Sequence, residues 1–213
     1  MSTDSIQINT DEDRLHRLRL IPWWDAELLQ SKTALVLGAG AIGNEVIKNL
    51  ALIGIGAVRI VDLDTVEMSN LSRSVLFRAS DEGRYKAQVA ADSAMAINPD
   101  MQCTAIVGDI VNELPRGHYM DADVVISGLD GREARLAGNA ACILADRPYF
   151  DGAIQVIDGV ARGFDGRNGP CYECTMSEQD WKLIEHRRSC NLLSREQMML
   201  GHVPTTSTIA SIV

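Results

Sequence analysis

Three glycines, Gly38, Gly40 and Gly43, sit between a β-rich run, Thr33–Leu37, and a stretch of helical periodicity, Ile42–Ile55. A Gly-x-Gly-x-x-Gly pattern in that position constrains the fold more than any other feature of the chain. The first glycine permits a tight turn, the second lets a phosphate approach the backbone, and the third lets helix and strand pack closely. The helix start then offers free N–H groups and the positive end of its dipole, both of which favour an anion. A second apolar run, Ala57–Val61, ends at Asp62, 19 residues beyond Gly43. A carboxylate there can accept hydrogen bonds from ribose hydroxyls. Gly38, Gly40, Ala41, Ile42, Gly43 and Asp62 therefore read as a nucleotide-binding element. The turn alone does not separate ATP from NAD, and a glycine turn kept for packing is the plain alternative.

The rest of the chain alternates in the same manner. Val66–Phe77 reads as turns with a short helix, Arg84–Ile97 as a helix stopped by Asn98-Pro99, and Gln102–Val107 as a strand. Asp123–Ser127 reads as an apolar strand, Gly131–Asp146 as a helix, and Pro148–Asp151 as the start of another strand. Such alternation implies a Rossmann-like α/β fold: a mostly parallel, doubly wound sheet with helices on both faces. Beyond Ala153 the pattern becomes β-rich, and Gly159, Gly163, Gly166 and Gly169 are expected to mark hairpin turns. The expected organisation is a mobile N-terminus at 1–13 and one domain at 14–213. Within it, 153–213 forms the β-rich extension. The run Ile209–Val213 reads as the opening of a helix, so the C-terminal end is expected to be missing.

The 213 residues carry a net charge of −9, with 46% hydrophobic and 23% charged residues. An acidic surface repels nucleic-acid backbones, so no such partner is expected. No apolar run reaches the length of about 18 residues that a membrane span needs. The polar, acidic start lacks the features of a signal peptide, and a cytoplasmic location is the expectation. The five cysteines are irregularly spaced and do not suggest a disulfide framework.

The segment after Asp62 discriminates between nucleotides. It reads Asp62-Leu63-Asp64-Thr65-Val66-Glu67-Met68-Ser69-Asn70-Leu71-Ser72-Arg73, followed by Gly83-Arg84-Tyr85-Lys86. A bound triphosphate needs cations and amide donors, which Arg73, Lys86 and Asn70 supply. A dinucleotide dehydrogenase has no such need this soon after its second strand. The block D-x-D-x-V-x-x-S-N-L-x-R with a downstream G-x-x-K resembles the ThiF/MoeB family of the ubiquitin-activating enzyme superfamily. The resemblance covers roughly residues 14–213.

This resemblance implies an adenylating enzyme. Asp130-Gly131-x-x-x-Arg135 is similar to the family's D-N-x-x-x-R motif, whose Asp helps to hold Mg²⁺; Gly131 replaces the usual Asn. Leu129 and Asp64 join the implied nucleotide contacts. Asp130 could instead cap the following helix. Arg14-Leu15-His16-Arg17 resembles the family's R-Y-x-R stretch, in which an Arg reaches across a dimer interface; Arg17 is the better match and Arg14 the second. A homodimer is then implied. The implied partner is a ubiquitin-like or sulfur-carrier protein whose C-terminal glycine carboxylate is activated with ATP. A carboxylate is already ionised at neutral pH, so positioning and charge neutralisation supply the rate.

Cys171-x-x-Cys174 has the spacing of half a zinc site, and the family's second pair is absent from this sequence. Cys190 lies where the superfamily has its crossover-loop cysteine, beside Arg187 and Arg188, which favour a thiolate. It is the candidate to receive an activated acyl group. Cys103 and Cys142 read as packing residues. The competing readings are an NAD-dependent oxidoreductase on the same fold, a non-catalytic partner subunit, and adenylation of a non-protein carboxylate such as one on a peptide or modified tRNA.

Overall fold

The structure is a computed structural model and describes residues 13–155, 158–165, 169–189, 210–211 and 213. Two short helices, α1 (His16–Arg19) and α2 (Ala26–Gln30), lead into β1 (Thr33–Leu37). Then follow α3 (Ala41–Ile53), β2 (Ala57–Val61), α4 (Lys86–Ile97), β3 (Gln102–Ile106), α5 (Arg116–Met120), β4 (Val124–Ser127) and α6 (Arg132–Ala145). The described chain continues through β5 (Tyr149–Gln155), β6 (Asp158–Phe164) and α7 (Glu178–Ser189).

The sheet runs β3-β2-β1-β4-β5-β6. Its first five strands pair in parallel, and β6 turns back antiparallel on β5. The order reverses at β1. One half winds outward from it through α3, β2 and α4 to β3; the chain then returns to β1's other side as β4. In such sheets ligands bind at the carboxyl ends of the strands beside that switch point.

The alternation of β1 explains the layers. Strand side chains point to opposite faces by turns. Ala34 and Val36 join a core with Ile47 and Leu50 of α3 and Val89 and Ala90 of α4. Leu35 and Leu37 join a second core with Tyr119, Cys142, Tyr149 and Phe164. Every residue from Ala34 to Leu37 is fully buried, so the strand reads as a continuous apolar run, as a strand covered on both faces must. Leu35, Val36 and Leu37 each contribute about 1.5–3 kcal/mol through burial.

Three details depart from the sequence expectation. Gly159 and Gly163 lie inside β6 and pair with Ile154 and Phe150, so they mark a strand and not turns. Gly166 lies outside the described residues. Helix α4 starts at Lys86, with Tyr85 extended before it and Arg84 donating its side chain to Asp81 and Asp92. Helix α5 is unanticipated; five residues with Gly117 among them carry too weak a periodicity to announce it.

Candidate functional site

The glycine turn closes the crevice at the end of β1. Gly38 takes φ +89°, and its N–H donates to the Val61 carbonyl at 2.8 Å. That left-handed backbone favours glycine. A Cβ at Gly43 would stand 1.9 Å from the Gly38 carbonyl oxygen, so α3 can start against the turn only with glycine there. Gly40, by contrast, has open space where its Cβ would be, which leaves the backbone approachable. Ile42 is buried beneath the turn, while Ala41 is partly exposed at the start of α3.

Asn44 is the residue that the sequence reading missed. It is fully buried, and its Nδ2 donates to the carbonyls of Ala39 (2.7 Å) and Gly40 (3.0 Å). Its Oδ1 accepts from Leu76 N–H at 2.9 Å. One side chain thus ties the turn to the segment carrying Asn70 and Arg73. The available signal was a polar residue on the face that α3 buries.

On the β2 side, Asp62 accepts from Ala39 N–H (2.7 Å) and from Asp64 N–H (2.8 Å). Burial raises its pKa above the ordinary carboxylate value, outweighing those N–H groups and Lys86. Lys86 Nζ pairs with the Asp64 carboxylate at 2.8 Å, and its own N–H donates to the Asp64 carbonyl at 2.9 Å. Asn70 is buried and accepts from Glu67 N–H at 3.0 Å, capping its own short turn. Arg73 donates to the Ser69 carbonyl at 2.8 Å. Asp62, Asp64 and Lys86 are therefore brought together against the turn, and Asn70 and Arg73 are joined to it through Leu76.

On the β4 side, Gly128 N–H donates to Leu37 O at 2.9 Å, and the Leu129 side chain lies over Gly38. Asp130 is exposed and has no polar partner among the described residues. Gly131, not Asp130, is the N-cap residue of α6, so the capping alternative is corrected. A cleft of about 220 Å³ is lined in part by Ile42, Ser127, Asp151 and Arg162. Ser127 Oγ and Asp151 Oδ1 are both buried there. Desolvation raises the Asp151 pKa, against the pull of Arg135, Ser127 and Arg162.

The outlying candidates fare differently. Arg17 is exposed on α1, while Arg14 folds back to donate to the Ala51 carbonyl at 3.2 Å. Cys171 and Cys174 hold their sulfurs 3.7 Å apart. That matches the edge of a tetrahedron with metal–sulfur bonds of about 2.3 Å. No group of three or more potential metal ligands occurs among the described residues. Cys190 lies outside those residues. Burial pushes the Cys103 and Cys142 thiols up to about 12, so both are inert packing groups as expected.

A family model described as the ThiF family matches residues 13–213. The sulfur carrier protein adenylyltransferase of Thermus thermophilus is 34% identical over 170 residues, covering 76% of this chain and 63% of that protein. The NEDD8-activating enzyme E1 catalytic subunit of Caenorhabditis elegans is 34% identical over 190 residues, covering 81% of this chain and 43% of that one. Among solved structures, E. coli MccB with ATP superposes with a TM-score of 0.74 at 24% identity, over 96% of this chain and 61% of that chain. The last likeness shows the fold. The chain spans less than two thirds of the length of each of these relatives. A glycine turn backed by Asp62, a Lys86–Asp64 rim and an open Asp130, in a chain matched along nearly its whole length, give one answer: the protein belongs to the ThiF family.

Proposed function

We propose that this chain adenylates the C-terminal carboxylate of a ubiquitin-like or sulfur-carrier protein with ATP. The observation that carries the reading is the pairing of two features across the switch point. The approachable Gly40 backbone and the Lys86–Asp64 pair form one rim, and the unpartnered Asp130 carboxylate forms the other. The ribose would lie against Asp62, whose oxygens each retain a lone pair. The phosphates would lie over the start of α3, with Lys86 and Arg73 leaving Asp64 and Ser69 to meet them.

Asp130 suits a magnesium ion: it is a hard oxygen donor, exposed and unpaired, at the carboxyl end of β4. When bound there, Mg²⁺ would neutralise charge on the phosphates. The acceptor carboxylate needs no base. Its oxygen forms a bond to the α-phosphorus as the bond to the β-phosphate oxygen breaks, and pyrophosphate leaves. The cleft lined by Ser127, at the end of β4, and Asp151, on β5, is the proposed place for the end of the acceptor chain. An NAD-dependent oxidoreductase gives no use to Lys86 or to the open Asp130.

Finer parts of the proposal are the homodimer, zinc and onward transfer. Arg17, exposed on α1, is free to reach a second copy of the chain. Cys171 and Cys174 supply two ligands at a spacing that fits zinc. Cys190 is the proposed recipient of the acyl group. The test is ATP–pyrophosphate exchange with candidate acceptors ending in glycine. Exchange should depend on that glycine and be lost in Asp130→Ala. Tight NAD binding without ATP binding would overturn the reading. For Cys190, a reducible covalent adduct should form and vanish in Cys190→Ala.

A further inference from the structure

Arg135, in the first turns of α6, reaches back to the carboxyl end of β4. Its Nε donates to the Leu129 carbonyl at 2.8 Å, and Nη2 donates to the same oxygen. Its Nη1 stands 3.4 Å from Asp151 Oδ2 on β5. The pair is enclosed: the Arg135 side chain is 12% exposed and that of Asp151 is 1% exposed.

The Leu129 carbonyl and the Asp130 N–H share one rigid peptide plane. A guanidinium clamped on that oxygen therefore fixes where Asp130 begins. The Asp130 carboxylate has no partner of its own among the described residues, so its placement comes from its backbone. Stability does not account for the pair behind it. A buried ion pair is often no more stable than well-packed apolar residues of similar volume. What the pair supplies is direction: Asp151 aims Arg135.

We propose that Asp151 is a positioning residue, which aims Arg135 at the Leu129 carbonyl and so sets the Asp130 carboxylate for the metal–nucleotide complex. The inference rests on the adenylation reading, in which Asp130 holds the metal.

The test uses the full chain, Mn²⁺ as a spectroscopic probe and the analogue AMPCPP, whose α,β-methylene bridge cannot be cleaved by adenylation. Electron paramagnetic resonance measures Mn²⁺ affinity for the protein–nucleotide complex. Asp151→Asn and Arg135→Lys should each lower that affinity about tenfold or more, as lost supports of metal ligands do. Metal-free nucleotide binding should be unchanged in both. Arg135→Lys keeps the charge and loses the fork, so it should fail to rescue. If Asp151→Asn does not fold, Arg135→Lys carries the test. Folded variants with lower thermal midpoints but wild-type Mn²⁺ affinity would overturn the inference, because the pair would then be structural only. Asp130→Ala separates the two readings. If it weakens Mn²⁺ while the other variants do not, only this inference falls. If it leaves Mn²⁺ unaffected, the metal assignment falls first and this inference with it.

Discussion

On the β2 rim of the crevice, polar groups are tied to one another before any ligand arrives. Asp62 takes two backbone N–H groups, Lys86 is paired with Asp64, and Asn44 makes three hydrogen bonds. On the β4 rim, Asp130 stands open, with no polar partner among the described residues. The first rim holds its polar groups against one another and the second does not. On the proposed adenylation reading, the second rim is where metal and acceptor would add the missing contacts.

The largest effect is expected at the joint that serves both rims. Gly43→Ala would drive a Cβ into the Gly38 carbonyl at 1.9 Å, and the backbone must shift. A loss on the order of 3 kcal/mol is expected in chemical denaturation. Gly40→Ala, with nothing within 4 Å, should fold normally. Next comes Asp130→Ala. Its exchange rate should fall about 100-fold, equivalent to about 2.7 kcal/mol, with the unfolding midpoint unmoved. A matching loss of stability would break the comparison, because the β4 rim would then be structural. Asn44→Ala should show the opposite balance. It orphans Leu76 N–H and the Ala39 carbonyl, while the Gly40 carbonyl keeps the backbone N–H of residue 44, and should cost about 2 kcal/mol of stability, read by urea denaturation. The smallest effect belongs to Asp64→Asn. Its pair with Lys86 is open to water on the aspartate side, 58% exposed, and should be worth about 0.5 kcal/mol. The informative readout there is ATP affinity by calorimetry, which sharpens the comparison by showing whether Lys86 must be held in place.

The fold was largely legible because its signals are local. The run 34–37 is apolar on both faces, and the turn that follows it declares strand, glycine turn and helix in order. The site was legible where a motif kept its residues close in sequence, as from Asp62 to Lys86. It was illegible where the site is made by strands meeting across the sheet. Asp151 lies on β5 and Arg135 on α6, 16 residues apart, and nothing in the Asp151 neighbourhood marks a buried carboxylate. Asn44 looked like one more position in a helix, since its partners at Ala39 and Leu76 meet only once α3 is packed. Gly159 and Gly163 misled because glycine in an edge strand looks like a turn until pairing is known.

Asn44 bears on how this nucleotide element could be moved or altered. Its side chain bonds the loop before α3 to the main chain at Leu76. The glycine turn is thus no interchangeable cassette. A graft of 38–44 into another sheet would leave the Asn44 amide oxygen facing a backbone that offers no N–H. A swap of 62–77 alone would strand the same oxygen from the other side. Retargeting this crevice to a different nucleotide would require both segments to be exchanged together, as one inherited unit.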